Sequence, residues 1–500
     1  MDRMTTLFDG YEGRLIVVSN RGSCTFKKTS SGLQATPSVS GLVSALEPIL
    51  KEQGGIWVAW GGRYSTASKA MGLSLPLPEK NPRYVNQEVL LSRKEVTQYY
   101  DGFSNNCLWP LCHSFLEKTI FNEDDWRTYI KVNKKYARVL AKVAKPRDMI
   151  WVQDYHLALV PRLVREHNPL AALALFWHIP FPPVEIFETL PWARDLIQGI
   201  LGCDLIAFHT ESYTRNFLMS VEEITGAKVD YRNKTIEWRD RTIKVAALPI
   251  GLDCKQLEGL AQRPDLRTQA QQIRDKIGGQ YLILGVDRLD YSKGIIERLE
   301  AIEYLLENYP EYRGKLTFLQ IAAPSRTSVP AYSQLRRRVE ETVGRINGRF
   351  THNYHSPIQY LFQSLDKENL VAHYLASDML LVTPLRDGLN LVAKEYVVVN
   401  TGKDAILVLS PLAGVAFQLK QAIIANPYYP KALADSIVNG LKLTEGEKRH
   451  RMNQMYKTVK GQDIFWWWKM IQENWIASYR HSQSKFVMHP SVKKQARVAN

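Results

Sequence analysis

The sequence predicts an α/β protein that contains more than one parallel β-sheet. Short apolar runs recur along the chain, and a polar turn and a stretch of helical spacing follow each of them. These runs lie at residues 15–18, 56–60, 149–152, 173–177, 205–207, 281–284, 316–321, 379–382 and 406–409. Continuously apolar strands that alternate with helices are typical of parallel sheets covered on both faces. A chain of 500 residues is also too long for one compact core.

A change of pattern near residue 249 predicts the domain boundary. Residues 228–248 alternate around the turn residues Asn233 and Asp240, which predicts small antiparallel strands. The tryptophans at 466–468 make a late helix more aromatic than a solvated helix requires, so we expect that helix to pack back on the N-terminal domain. The expected division is an N-terminal domain at 1–248, a C-terminal domain at 249–465, and a final helix with a tail at 466–500.

Composition excludes several classes of protein. With 45% hydrophobic residues the chain is not a disordered protein. No apolar run approaches the roughly 20 residues that span a bilayer. Residues 1–13 lack the apolar core of a signal peptide, so we expect a cytoplasmic protein that is not attached to a membrane. The cysteines have no paired metal-ligand spacing and indicate thiols in a reducing compartment; they are Cys24, Cys107, Cys112, Cys203 and Cys254.

The charge suits an anionic ligand. The chain has 65 basic and 50 acidic residues, a net charge of +15. Part of the excess lies after Glu473, where no acidic residue remains and a solvated basic tail is expected. The basic residues there are Arg480, Lys485, Lys493, Lys494 and Arg497. Because no stretch interleaves basic and aromatic residues, nucleic acid is only a minor alternative as a partner.

Two strand–turn–helix stretches in the second half have the residues that a nucleotide sugar requires. In "DRLDYSKG" (287–294), Arg288 and Lys293 can converge on one diphosphate. The alternative without a ligand is a surface ion pair between Arg288 and Asp290. In "TPLRDGLNLVAKEY" (383–396), Asp387 can accept hydrogen bonds from sugar hydroxyls. The helix that starts there presents backbone amides to negative charge, and Glu395 can bind the vicinal hydroxyls of a ribose.

The first half supplies polar residues where predicted strands end. "SNR" (19–21) ends the first strand, and Gly41 permits close approach at the start of the next helix. "QDYH" (153–156) and His178 follow two later strands, although a lone histidine is more often part of a core. Aromatic walls with arginines suit a phosphorylated sugar, whereas single aromatic residues are more often core.

Together, "SNR", "WVQDYH", "WHIPFPPVEIF", "DRLDYSKG", "RINGR" and "TPLRDGLNLVAKEY" closely resemble the trehalose-6-phosphate synthase family of retaining glycosyltransferases, in order from about residue 14 to 463. The resemblance implies the GT-B architecture, with two Rossmann-like domains facing each other across a cleft. It also implies an α,α-trehalose-phosphate synthase that moves glucose from UDP- or ADP-glucose to glucose 6-phosphate, for compatible-solute synthesis and osmoprotection. No cofactor or metal is expected, and a homo-oligomer stays open.

The family's functional residues can be carried over position by position. The donor would contact Gly41, His178, Arg288, Lys293, Asp387, Asn390, Leu391, Val392 and Glu395. The acceptor would contact Arg21, Tyr100, Trp109, Asp154, Tyr155 and Arg326. The catalytic set would be Asp154, His178, Arg288, Lys293 and Asp387. None of these is offered as a nucleophile, so the resemblance implies a front-face reaction in which the leaving diphosphate accepts the acceptor's proton.

Two departures from the family pattern concern the acceptor. Ser40-Gly41 replaces the usual Gly-Gly, and Cys112-His113-Ser114 replaces Phe-His-Tyr. The alternative is therefore a glucosylglycerol-phosphate synthase, which uses ADP-glucose and glycerol 3-phosphate, although Arg21 and "HIPFP" favour the trehalose type. A non-catalytic regulatory homologue is disfavoured because the cations expected to bind the donor are retained.

Overall fold

The computed structural model describes residues 13–29, 32–38, 41–66, 69–326 and 329–488. These residues form two compact units. The first unit contains the described residues up to Ile250 and those from Trp467 onward, and the second unit is Gly251–Trp466. Both units contain parallel sheets and helices, which confirms the predicted α/β class.

The first unit is built on a ten-stranded sheet of the described residues, with a separate hairpin of β2 and β3. Its strands are β1 (Leu15–Arg21), β2 (Cys24–Thr29), β3 (Gly32–Pro37), β4 (Ile56–Tyr64), β5 (Met71–Leu77), β6 (Tyr84–Leu91), β7 (Met149–Gln153), β8 (Ala172–Phe176), β9 (Leu205–Phe208), β10 (Lys228–Asp230), β11 (Thr235–Trp238) and β12 (Arg241–Ala247). The sheet order is β10-β11-β12-β9-β8-β7-β1-β4-β6-β5. The strands from β12 to β6 are parallel, and the antiparallel strands predicted at 228–248 are present as β10 to β12.

Helices connect these strands. They are α1 (Gly41–Gln53), α2 (Arg93–Glu95), α3 (Trp109–Cys112), α4 (Glu123–Val143), α5 (Val160–His167), α6 (Val184–Phe187), α7 (Ala193–Ile200) and α8 (Glu211–Thr225). A π-helix, Val96–Leu108, joins α2 to α3. Because strand order reverses between β1 and β7, the loops that leave these two strands diverge at the carboxyl edge of the sheet, where α/β proteins bind ligands.

The second unit contains a six-stranded sheet in which every described pairing is parallel. Its strands are β13 (Tyr281–Arg288), β14 (Leu316–Ala323), β15 (Ile358–Leu361), β16 (Met379–Val382), β17 (Ile406–Leu409) and β18 (Ile423–Ile424). Its helices are α9 (Cys254–Gln262), α10 (Pro264–Ile277), α11 (Ile295–Asn308), α12 (Pro330–Phe350), α13 (Lys367–Ala376), α14 (Leu391–Val399), α15 (Pro430–Lys442) and α16 (Glu445–Gly461). The order β15-β14-β13-β16-β17-β18 is the 3-2-1-4-5-6 order of a Rossmann sheet, with its switch point between β13 and β16.

The last helix, α17 (Ile464–Met488), begins in the second unit and continues in the first. Trp467 and Trp468 pack on Trp151 of β7. The ring centroid of Trp151 lies 5.2 Å from that of Trp467 and 5.1 Å from that of Trp468. The Trp467 indole also donates to the carbonyl of Leu248 at 3.0 Å. The expected return of this helix to the N-terminal domain is therefore confirmed. The tail residues Lys493, Lys494 and Arg497 lie outside the described residues.

Candidate active site

The two motifs of the second unit meet at its switch point. The loop after β13 and the loop after β16 touch through their backbones, because the amide of Leu385 donates to the carbonyl of Ser292 at 2.8 Å. Gly294 has φ +66°, and a Cβ on it would lie 2.3 Å from the carbonyl oxygen of Thr383. Only glycine fits this contact. The sequence therefore fixes how closely the two loops approach.

An ion pair joins these two loops. The Lys293 ammonium donates to Oδ2 of Asp387 at 2.7 Å, and the two side chains are 9% and 13% exposed. Asn390 donates to the same oxygen from Nδ2 at 3.0 Å. Its Oδ1 also accepts from the amide of Ala393 at 3.1 Å and so caps α14. The structure therefore brings together three residues predicted to bind the donor, beside the positive end of a helix.

Glu395 lies one turn further into α14 and is partly buried. Tyr374 of α13 donates to its Oε2 at 2.9 Å. Burial raises the pKa of Glu395, while the hydrogen bond from Tyr374 acts in the opposite direction. Leu391 and Val392, the first two residues of α14, are partly buried beside it. A carboxylate held this way can accept hydrogen bonds from two neighbouring hydroxyls.

Arg288 and Arg326 have different surroundings, although both belong to the second unit. Arg288, the last residue of β13, is exposed. Arg326 is 4% exposed, contacts Oδ2 of Asp290 at 3.2 Å and donates to the Tyr332 hydroxyl. Burial by itself opposes ionisation of Asp290, but the charges of Arg326, Arg288 and Lys293 outweigh it and hold the pKa of Asp290 at about 2. Arg326 thus braces the loop that carries Arg288 and Lys293.

In the first unit, Asp154 and His178 lie at the carboxyl edge of β7 and β8. Asp154 has φ +71°, an uncommon conformation for a residue other than glycine. Its Oδ1 accepts from the amide of Tyr155 at 3.0 Å and from the amide of His178 at 3.2 Å. The His178 ring lies 2.9 Å from Oε1 of Gln153. Burial lowers the pKa of His178 to about 3, so this imidazole is neutral at working pH.

An arginine stacked between aromatic rings lies at the neighbouring strand end. The guanidinium of Arg21, at the exposed end of β1, lies 4.0 Å from the ring centroid of Trp60 and 5.8 Å from that of Tyr100. Tyr100 in turn stacks on His156, with centroids 5.7 Å apart. This cluster presents cationic and aromatic surface, the chemistry that a sugar phosphate needs.

Trp109 and Tyr155 are buried beneath this surface, with ring centroids 6.2 Å apart. The Tyr155 hydroxyl donates to Oδ1 of Asn105 at 3.1 Å. The departures Cys112 and His113 are also buried, and the His113 ring packs 4.1 Å from that of Trp109. Gly41 is exposed at the start of α1, whereas Ser40 lies outside the described residues.

Trp60 and His156 pack in the same cluster as Arg21 and Tyr100, but the motifs gave neither of them a role. Trp60 pairs directly with Arg21 in the register of β1 and β4. The signal was present, because "IWVAW" (56–60) ends in an aromatic residue at the same edge as "SNR". Its use required knowing that β1 and β4 are neighbours. His156 is the last residue of "QDYH" (153–156), and its packing on Tyr100 depends on the fold.

The described residues contain no candidate metal cluster and no helix that could cross a membrane. No cluster of three or more His, Cys, Asp or Glu side chains in this part of the chain is arranged to bind a metal ion. No described helix is both long and apolar enough to cross a bilayer.

The chain resembles known proteins over most of its length. The model of glycosyltransferase family 20 matches residues 13–475. The chain is 39% identical to an α,α-trehalose-phosphate synthase [UDP-forming] A of Dictyostelium discoideum over 90% of its length, and spans 61% of that relative. It is 39% identical to a trehalose-6-phosphate synthase of Mycobacterium sp. (strain KMS), over 90% of this chain and 93% of that relative.

A solved structure agrees with these relatives. An α,α-trehalose-phosphate synthase (UDP-forming) of Burkholderia xenovorans, in complex with glucose 6-phosphate, superposes with a TM-score of 0.85 at 33% identity. The match covers 93% of this chain and 100% of that one. The family resemblance and the GT-B fold class are therefore confirmed, and the chain belongs to glycosyltransferase family 20, among the trehalose-6-phosphate synthases.

Proposed function

We propose that this protein is a retaining glucosyltransferase that moves glucose from UDP-glucose to glucose 6-phosphate and makes α,α-trehalose 6-phosphate. The observation that carries the proposal is the meeting of Lys293, Asp387 and Asn390 at the switch point of a Rossmann sheet, one helical turn from Glu395. The relatives named UDP-forming support UDP-glucose as the donor, and the relative bound to glucose 6-phosphate supports the acceptor.

The second unit would bind the donor. Arg288 and Lys293 would neutralise the diphosphate, and the start of α14 would add backbone amides. Asp387 would exchange its ion pair with Lys293 for hydroxyls of the donor glucose. Glu395 would bind the ribose. The exposed position of Arg288 supports this assignment, since a phosphate can reach its guanidinium without disrupting the fold.

The first unit would bind the acceptor. Arg21 would meet the phosphate of glucose 6-phosphate, and Trp60 and Tyr100 would flank it. Asp154 would accept hydrogen bonds from hydroxyls of the reacting sugars. Its Oδ1 already accepts two backbone amides, which weakens it as a nucleophile and favours an orienting role.

The chemistry would then be a front-face displacement. The bond between the anomeric carbon and the diphosphate breaks as the acceptor hydroxyl approaches from the same face, and the leaving diphosphate takes the hydroxyl proton. Arg288 and Lys293 would stabilise the charge that develops on the leaving group. Neutral His178 would contribute a hydrogen bond to the donor glucose rather than a charge. Since two cations already meet the diphosphate, we propose that turnover needs no metal ion.

The small-molecule substrates and the buried free thiols of all five cysteines support the cytoplasm as the compartment.

A product assay tests the proposed function. Purified protein would be supplied with UDP- or ADP-glucose and with glucose 6-phosphate, glycerol 3-phosphate or unphosphorylated glucose. The expected product is a 1,1-linked disaccharide phosphate with two α-anomeric protons by NMR, made fastest from UDP-glucose and glucose 6-phosphate. A higher kcat/KM with glycerol 3-phosphate would overturn the acceptor assignment. Absence of turnover with either donor would overturn the proposal that the protein is a glucosyltransferase.

A further inference from the structure

Arg298 of α11 is a fully buried arginine beneath the two loops of the second unit's switch point. Its four hydrogen bonds go to different elements. Nη1 donates to Oδ2 of Asp287 at 2.7 Å and to Oε1 of Gln320 at 2.8 Å. Nε donates to Oγ1 of Thr383 at 3.0 Å, and Nη2 donates to the backbone carbonyl of Lys293 at 3.2 Å. One guanidinium therefore joins the end of β13, the middle of β14 and both loops.

The sheet leaves space for this guanidinium. A Cβ on Gly285 of β13 would lie 2.7 Å from Nη1 of Arg298 and 2.5 Å from Oε1 of Gln320. Any larger residue at 285 would displace the arginine from its partners. The position of the guanidinium is therefore built into the strand.

Stability alone does not explain a buried charge here. Desolvation of an ion pair commonly offsets its attraction, so apolar residues of similar volume often serve the fold as well. Burial raises the pKa of Asp287, and the charge of Arg298 opposes that effect. A lysine at 298 would offer one ammonium in place of a planar group with five donors, too few directions for four partners on separate elements.

We propose that Arg298 is a positioning residue for the donor diphosphate. It touches no substrate. By holding the carbonyl of Lys293 and the hydroxyl of Thr383, it sets the spacing at which the Lys293 ammonium and Asp387 face the donor. This inference rests on the proposed function, since it assigns a diphosphate to the Lys293 loop.

The experiment compares three variants by calorimetric binding of UDP, by steady-state kinetics and by melting temperature. Arg298→Met should weaken UDP binding and raise the KM for UDP-glucose by about tenfold or more, with the KM for glucose 6-phosphate within about twofold. It should also melt earlier, since it leaves the Asp287 carboxylate buried without the guanidinium that donates to it. The double variant D287N/R298M removes that carboxylate and should recover much of the melting temperature, while the UDP defect persists.

Arg274→Met is the matched control. Arg274 pairs with Asp378 at 2.9 Å and donates to the carbonyl of Gln280, so it joins β13 and β16 at the opposite, amino-terminal edge of the same sheet. It should lower the melting temperature and leave the affinity for UDP within about twofold. If Arg274→Met weakens UDP as much as Arg298→Met, general destabilisation explains the effect and the inference is overturned.

Recovery of UDP affinity together with melting temperature in D287N/R298M would likewise reduce Arg298 to a structural role. Should Arg298→Met fail to fold, Arg298→Lys keeps the charge with fewer donors, and wild-type UDP affinity in that variant overturns the inference. Wild-type protein that binds UDP but makes no disaccharide phosphate would refute the proposed function. The UDP affinities of the variants would then still decide whether Arg298 positions the diphosphate site. Wild-type protein that binds no UDP would overturn both.

Discussion

Replacing Lys293 by alanine tests the donor site most directly. The Lys293 ammonium lies 2.7 Å from Asp387 in a mostly buried setting, and in turnover it would pair with the diphosphate instead. A charge-assisted hydrogen bond contributes about 1.5–3 kcal/mol net. At about 1.4 kcal/mol per factor of ten, losing it slows the reaction roughly 10- to 150-fold. Because Asp387 would then repel the diphosphate with no ammonium beside it, we expect a loss near or above about 100-fold in kcat/KM for UDP-glucose.

The assay is the initial rate of UDP release at varied UDP-glucose and saturating glucose 6-phosphate, with the melting temperature recorded for each variant. Lys431→Ala is a matched control, because Lys431 also pairs with an aspartate, Asp435, at 2.7 Å in the same unit but on the surface. Its loss should change kcat/KM less than about twofold. K293A/D387N should lose less than the product of the two single losses, since the two residues interact. A folded Lys293→Ala variant within threefold of wild type would refute the donor site.

The remaining predictions concern other parts of the proposed site. Glu395→Gln should raise the KM for UDP-glucose yet raise the melting temperature at neutral pH, because the raised pKa of Glu395 makes its ionised form unfavourable to folding above about pH 4.3. Burial lowers the pKa of His178 to about 3, so the free energy of unfolding should fall as pH drops from about 6.5 towards 3. His178→Gln should make the melting temperature depend less on pH in that range. Arg21→Met should raise the KM for glucose 6-phosphate with little change for UDP-glucose, measured by varying each substrate. Exhaustive EDTA treatment should leave turnover near its starting value, and a loss restored only by Mg²⁺ or Mn²⁺ would refute metal independence.

Four of the six described strands of the second unit were predictable because their residues are almost all buried. β13, β14, β16 and β17 all contain the apolar runs read from the sequence. β6 was not predicted, because Asn86, Gln87 and Glu88 interrupt its apolar residues. All three are buried, and Arg63 compensates the Glu88 carboxylate with hydrogen bonds of 2.7 and 2.6 Å. Pattern alone does not reveal a buried charge whose partner lies 25 residues away in the sequence.

The site residues were predictable only one strand at a time. Arg21 and Asp154 were identified from strand ends, but their aromatic neighbours Trp60 and His156 depend on which strands are adjacent. Arg326 has a contact that its motif did not predict. Its assignment to the acceptor stays a prediction, and the structure shows in addition that its guanidinium contacts Asp290, in the loop that carries Arg288 and Lys293. Replacing Arg326 would therefore disturb that loop as well, so its effect on donor KM would not be small.

Both units place their candidate residues at the same topological position. In the first unit, Arg21 ends β1 and Asp154 follows β7, and these two strands lie on either side of the reversal of strand order. In the second unit, Lys293 and Asp387 follow β13 and β16, which flank the corresponding reversal. Connections leave such a pair of strands towards opposite faces, so no helix crosses the gap and polar side chains there can reach a ligand. The motifs are therefore long because each spans a strand end, a turn and a helix start, and all three must be correct for one side chain to be placed.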